Sequence, residues 1–333
     1  MKISVIGAGA FGTAMAAVAA RCDNEIVLWA HDPSVAETIT ATRSNPLYLP
    51  KVMIPANVRA TGSLEEAAAF SDTIFMVVPS HHYRDVLGQL KPLLRAPVEV
   101  ISGTKGIEIA TQRRMSEVTQ EVLGDKLKAF AVLSGPTFAL EVARGDPTAA
   151  VVASRDVDFA QKAQQALSCT SFRLYHTTDV VGVELAGSLK NVIAIAAGVL
   201  EGLGLGSNTN AALITRGLHE MTKLGIALGG RLETFAGLAG MGDLVLTCTG
   251  SLSRNRSLGV ALGQGKQLEA ILSETRAVAE GVKTTKAATE IAQSHRIDMP
   301  IASEMYRVLY GSDSPRAALQ RLMSRALKAE ADL

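Results

Sequence analysis

Lys190 is the only cation in the run Glu184 to Gly198, which is otherwise almost wholly apolar. A lysine so placed has two readings. Either it snorkels to solvent along its aliphatic stem, or it is partly buried with a chemical task. Burial lowers an ammonium pKa toward neutrality, which suits general acid–base work. Asn191 beside it and Glu184 earlier in the run favour the second reading. Asp243 lies in Gly240-Met241-Gly242-Asp243-Leu244-Val245-Leu246-Thr247, where an isolated carboxylate is costly unless paired. A buried lysine is its natural partner. Ser253-Arg254-Asn255 offers a hydroxyl, fork donors and an amide, the makings of a small anion clamp. A solvated loop is the alternative there. Lys105, and Gly135 with Thr137, each follow the end of an expected strand, where ligands of open α/β sheets collect. A surface loop and a helix-capping turn are the structural alternatives.

A second kind of chemistry is written at the start. Gly7-Ala8-Gly9-Ala10-Phe11-Gly12 is a GxGxxG directly after a strand and at the opening of a helix. In that context it reads as a dinucleotide site. Gly7 permits the tight turn, Gly9 lets the backbone approach a pyrophosphate, and Gly12 lets the helix sit close to the strand. The helix N-terminus offers free N–H groups to the phosphates. The second strand ends Trp29-Ala30-His31-Asp32. An acid there favours NAD, a cation NADP. Asp32 precedes Pro33 and can simply cap the next helix, while His31 can donate to a 2′-phosphate with Arg43 as helper. The reading leans to NADP, with NAD tolerated.

These residues need a scaffold, and the alternation of patterns supplies one. Strands are expected at 3–6, 25–30, 73–78, 98–102, 129–134, 149–154 and 172–176, with helices at 11–20, 33–42 and 157–167. That alternation implies a doubly wound parallel sheet of Rossmann type covered on both faces. From about residue 180 the spacing is helical throughout, over 180–200, 211–228, 259–262, 277–294, 301–310 and 315–328. The expected organisation is a dinucleotide-binding α/β domain over 1–179 and an all-α substrate domain over 180–333.

Composition excludes other classes. The chain has 333 residues, 47% hydrophobic and 20% charged, enough for a large core. Lys plus Arg is 33 and Asp plus Glu is 32, which argues against a nucleic-acid binder. Three widely spaced cysteines form neither a disulfide framework nor a metal site, so a reducing, cytoplasmic setting is expected. No cluster has metal-ligand spacing. The uncharged stretch from Ile3 to Ala20 superficially resembles a signal peptide, but a β-branched run and three glycines interrupt it. No membrane insertion is expected.

Taken together, Gly7–Gly12, Pro79-Ser80-His81, Lys105-Gly106, Ser134–Ala139, Glu184 to Gly198, Gly242–Thr247, Ser253–Asn255 and Val278-Ala279-Glu280-Gly281 resemble the bacterial-type NAD(P)-dependent glycerol-3-phosphate dehydrogenases. The resemblance runs through essentially the whole chain. It implies reduction of dihydroxyacetone phosphate to sn-glycerol 3-phosphate for phospholipid synthesis, and homodimers occur in the family. It implies Lys190 as proton donor and acceptor. Lys105, Gly135, Thr137, Asp243, Ser253, Arg254 and Asn255, with Lys190, Asn191 and Thr247 beside them, are the candidate substrate set. Gly7, Gly9, Ala10, Phe11, Gly12, His31, Lys105, Ala139, Arg254, Val278 and Glu280 are the candidate cofactor set. Ala10 stands where some members carry Ser, so only backbone contact with a phosphate remains there. The competing readings are another hydroxyacid or sugar-acid dehydrogenase of similar build, and a dinucleotide sensor without turnover.

Overall fold

The structure is a computed structural model and describes residues 1–274, 279–327 and 329–330. The chain forms two compact units, one of residues 1–108 and 113–184, the other of 109–112 and 185–333.

The first unit is built on eight strands: β1 Lys2–Ile6, β2 Glu25–Trp29, β3 Val58–Thr61, β4 Thr73–Met76, β5 Val98–Ser102, β6 Leu127–Ser134, β7 Thr148–Ser154 and β8 Phe172–Thr177. They make one sheet in the order β3-β2-β1-β4-β5-β6-β7-β8. Strand β1 pairs with both β2 and β4, so the winding reverses beside β1. Alternate residues feed opposite cores. Ile3, Val5, Ile26 and Leu28 pack with helices α1 Ala10–Arg21, α2 Pro33–Thr42, α6 Ala139–Arg144 and α7 Val157–Leu167. Ile6, Val27, Trp29, Ile74 and Met76 pack with α3 Leu64–Phe70, α4 Ser80–Leu90 and α5 Met115–Leu123. Both faces are covered, as a doubly wound sheet requires. Nine of the 12 residues of α1 are buried, and most of them are alanine, which lets this helix lie close against the sheet.

Two features depart from the expectation. Strand β7 runs antiparallel to β6, while the other neighbours in the sheet are parallel. The reason is the connection. Helix α6 has 6 residues, about 9 Å. Strand β6 has 8 residues, about 26 Å, so α6 cannot carry the chain back along it. The chain turns and pairs on its way back instead. The expected elements also omit strand β3 and helices α3, α4 and α5. Strand β3 is a short edge strand with Arg59 exposed, and it lacks the apolar run that marks the central strands.

The second unit is helical among the described residues. The long helix α8, Val180–Gly202, enters it at Leu185. It has the length and hydropathy of a membrane span but is buried in the fold. Then follow α9 Ser207–Ala227, α10 Leu232–Ala236, a π-helical turn Leu238–Gly242, α11 Asp243–Thr249, α12 Arg254–Gly263, α13 Leu268–Ser273, α14 Glu280–Ser294, α15 Pro300–Tyr310 and α16 Pro315–Met323. The expected starts of α14 at Ala277 and end of α16 at Lys328 fall partly outside the described residues.

Glu220 on α9 shows how polar groups hold this unit. It is 1% exposed and accepts the N–H groups of Ile301 at 2.8 Å and Ala302 at 3.3 Å, capping α15 from a neighbouring helix. Burial pushes its pKa up to about 7, opposed by those two N–H bonds and by Arg216, and reinforced by Asp298. The folded state therefore holds a proton that the unfolded chain has released between pH 4.5 and 7. This contribution is greatest below pH 4.5 and is lost as pH rises through about 7, a change of ~3 kcal/mol. Glu220→Gln should remove that dependence. The difference in urea midpoint between wild type and variant should shift in favour of the variant from pH 4.5 to 7.5, and a constant difference would refute it.

Candidate active site

In the first unit, the candidate residues gather beyond the carboxyl ends of β1, β5 and β6. Gly7 has φ +119, a conformation that favours glycine, and a Cβ at Gly12 would overlap the Gly7 carbonyl oxygen. Gly9 is different. Its φ of −70 suits any residue, and a Cβ there would meet nothing within 4 Å. The fold itself does not need glycine at that position, whereas a ligand pressed against the backbone does. The loop and the N-terminus of α1 thus fit a dinucleotide pyrophosphate. Phe11, in the first turn of α1, has its ring 6.0 Å from Lys105 Nζ. That ammonium donates to the Gly135 carbonyl at 3.1 Å and reaches Thr137 Oγ1 at 3.5 Å. Lys105, Gly135 and Thr137 therefore form one cluster, with Ala139 opening α6 just after it. His31 is exposed at the end of β2, its ring edge-on to Trp29 with centroids 5.8 Å apart. Asp32 caps α2, accepting from Ser34 N at 2.9 Å and Oγ at 2.7 Å, and the Ser34 hydroxyl is the main reason its carboxyl lies below the ordinary range. Arg43 is spent on the carbonyls of Val58 at 2.9 Å and Ile54 at 3.1 Å.

In the second unit, α8 carries Lys190 into the interior, where it is 5% exposed. Its ammonium pairs with the Asp243 carboxylate and donates to Thr247 Oγ1 at 2.8 Å. Thr247 in turn donates to the Asp243 carbonyl at 2.6 Å. Asp243 opens α11 and Thr247 sits one turn later, so both face the same way. The π-helical turn just before them sets that direction. The Cys248 thiol beside the pair is pushed up to about 12 by burial, with the Lys190 charge opposing. Asp243, Thr247 and Cys248 are buried as well.

A second network joins three helices. Asn255 Nδ2 donates to Asn191 Oδ1 at 2.9 Å, and Asn255 Oδ1 accepts the Gly281 N–H at 3.0 Å. The two amides thus hold each other and the start of α14. Ser253 caps α12, accepting the Arg256 N–H at 3.2 Å. Arg256 pairs with Glu201 at 2.6 Å, back onto α8. Arg254 keeps access to solvent, yet surrounding protein desolvates it and lowers its pKa, with Glu280 opposing. Glu184 stands apart from this set. It belongs to the first unit, where it accepts from Arg114 at 2.8 Å and from Ser116 N and Oγ at 2.7 and 2.6 Å. Val278 lies outside the described residues.

The family model described as NAD-dependent glycerol-3-phosphate dehydrogenase N-terminus matches residues 2–160, and its C-terminal counterpart matches 179–320. The chain belongs to the NAD-dependent glycerol-3-phosphate dehydrogenase family. A glycerol-3-phosphate dehydrogenase (NAD(P)+) of Geobacter sulfurreducens is 51% identical over 330 residues, covering 99% of this chain and 98% of that one. One from Syntrophotalea carbinolica is 49% identical over 333 residues, covering 100% of each. The crystal structure of the Coxiella burnetii glycerol-3-phosphate dehydrogenase superposes with a TM-score of 0.93 at 40% identity, over 97% of this chain and 99% of that chain.

Within this family build, sequence reasoning missed what spaces Lys190 from the start of α12. Gly198 and Gly202 on α8 interlock with Gly259 and Gly263 on α12. A Cβ at Gly198 would overlap the Arg256 carbonyl oxygen, and one at Gly259 would overlap that of Ile195. The signal was present as two glycine pairs at four-residue spacing. Gly259→Ala should force the helices apart and lower the unfolding midpoint by the equivalent of ~1–3 kcal/mol. Gly88→Ala on α4, where a Cβ meets nothing within 4 Å, should be neutral or slightly stabilising. Equal effects of the two changes would show that the α8–α12 approach tolerates separation.

Proposed function

We propose that the chain reduces dihydroxyacetone phosphate to sn-glycerol 3-phosphate, reversibly, using NADPH or NADH. The observation that carries this reading is the buried Lys190–Asp243–Thr247 group, in a chain of this family that also has the Gly7–Gly12 loop. When bound, the reduced nicotinamide supplies the hydride. The Gly7–Gly12 loop, with Ala10 and Phe11, holds the dinucleotide phosphates through backbone N–H groups. Lys190 gives its proton to the carbonyl oxygen that becomes the new hydroxyl. Asp243 orients the Lys190 ammonium, and Thr247 fixes it from a second side. Lys105 adds positive charge toward the developing alkoxide. Gly135 and Thr137 accompany Lys105 in holding substrate, and Arg254 with Ser253 and Asn255 holds its phosphate. Ala139, Arg254, Val278 and Glu280 complete the cofactor set. Cytoplasmic location and a homodimer belong to the same proposal.

The direct test is oxidation of NADPH, and of NADH in parallel, on addition of dihydroxyacetone phosphate. A hydroxyacid dehydrogenase would instead require a carboxylate substrate, and a sensor would bind cofactor without turnover. Lys190→Met keeps the volume and helix preference of the side chain but removes the ammonium. Turnover should fall by ~10²–10⁴ or more, while NADPH binding, followed by fluorescence, is retained. Turnover within a few-fold of wild type would remove Lys190 from the mechanism and leave Lys105 as proton donor.

Coenzyme choice rests on His31. Asp32 caps α2 through Oδ1, which accepts from the Ser34 N–H and hydroxyl, so part of its carboxylate is committed to the start of the helix. NADPH should serve at least as well as NADH, and His31→Ala should raise KM for NADPH more than for NADH. Equal losses would mean that His31 does not read the 2′-phosphate.

A further inference from the structure

Asn45 lies after α2, far in sequence from the glycine loop, and is 1% exposed. Its Nδ2 donates to the Ala8 carbonyl at 2.9 Å and to Thr13 Oγ1 at 2.9 Å. Its Oδ1 accepts the Tyr48 N–H at 3.3 Å, and its own carbonyl accepts the Leu49 N–H at 2.8 Å. Thr13 Oγ1 approaches the same Ala8 carbonyl at 3.4 Å. The amide is thus fixed by its own loop and spends its donors on the first turn of the cofactor fingerprint.

The target of those donors is informative. Ala8 stands between Gly7 and Gly9, and the peptide joining residues 8 and 9 can turn over cheaply because Gly9 has no Cβ to resist it. In a trans peptide the carbonyl and the following N–H point in opposite directions. Holding the Ala8 oxygen on the Asn45 side therefore turns the Gly9 N–H to the other side. A peptide turned over would present a carbonyl, the negative end of its dipole, where an N–H had been. To a pyrophosphate that exchange is an attraction replaced by a repulsion.

We propose that Asn45 is a positioning residue for dinucleotide binding, which locks the Ala8–Gly9 peptide so that the turn offers N–H groups and not a carbonyl to the phosphates. This rests on the dinucleotide reading of the loop. It adds a residue that lies outside the GxGxxG motif and that touches the cofactor only through the backbone it holds.

The test is titration of the full chain with NADPH and with NADH, followed by cofactor fluorescence without any second substrate. Asn45→Ala should weaken both dinucleotides roughly tenfold, the scale of losing a buried hydrogen-bonding partner. Thr13→Val should weaken them by a smaller factor, and Thr13→Ser should restore affinity. Asn57→Ala is the comparison for a merely structural role. Asn57 holds the other end of α1, donating to the Ala20 carbonyl at 2.8 Å and the Asn24 carbonyl at 2.9 Å. It should lower the unfolding midpoint and leave both affinities unchanged. Affinity of Asn45→Ala within twofold of wild type, or an equal loss in Asn57→Ala, would overturn the proposal. If Asn45→Ala does not fold, the Thr13 pair decides it, since equal affinities of Thr13→Val and Thr13→Ser would overturn it as well. A wild-type chain that binds neither dinucleotide would remove the dehydrogenase reading, and this proposal with it.

Discussion

A charged ammonium held inside an apolar helix bundle is the constraint around which the second unit is arranged. Taking Lys190 out of water costs several kcal/mol on the usual scale for a buried ion, and Asp243 offsets this only if its geometry is good. The structure meets that demand with two groups of one helix. The π-helical turn at Leu238–Gly242 delivers Asp243 at the start of α11, and Thr247 comes to the same ammonium one turn later. Cys248 lies buried beside the pair, and the same burial pushes its thiol pKa up. Burial strengthens the electrostatic interactions that this ammonium makes.

Close backbone approach is the second device, and both units use it. On α8 and α12 it sets the distance between the helix of Lys190 and the turn that begins with Ser253, Arg254 and Asn255. The Asn191–Asn255–Gly281 bonds then fix the rotation of those helices and of α14. In the first unit, Gly7 and Gly12 allow α1 to press against its own strand, and Asn45 secures the peptide between. In both places the glycines bring the backbones close, and a buried amide chooses one arrangement. Such networks are costly unless every member is satisfied, and here the Asn45 amide nitrogen finds two acceptors, while the Asn255 amide bonds through both its nitrogen and its oxygen.

Much of this was legible beforehand. The strand–helix alternation of the first half, the switch to helical spacing near 180 and the glycine loop all express local rules of periodicity and turn chemistry. The pairing of Lys190 with Asp243 was also legible, because each is an isolated charge in apolar sequence and each needs a partner. Strand β3 was not legible, since an edge strand with an exposed arginine lacks an apolar run. The reversal at β7 was not legible either, because it depends on whether a six-residue helix can span the return. Glu184 shared the helix of Lys190 in sequence and suggested a shared task, but the fold spends it on Arg114 and Ser116.

Sequence alone therefore determined which residues carry charge into apolar surroundings and which glycines allow the tight turn and close helix of the first strand–helix unit. Those are properties of residue type and of spacing within a single element. Only the tertiary structure decided who satisfies whom. Asn45 reaches Ala8 across 37 residues, Glu220 reaches the start of α15 across 81, and Asn255 reaches Asn191 across 64. A buried polar group must find a partner, but nothing in its local sequence says which of the many donors and acceptors the packing will bring within 3 Å.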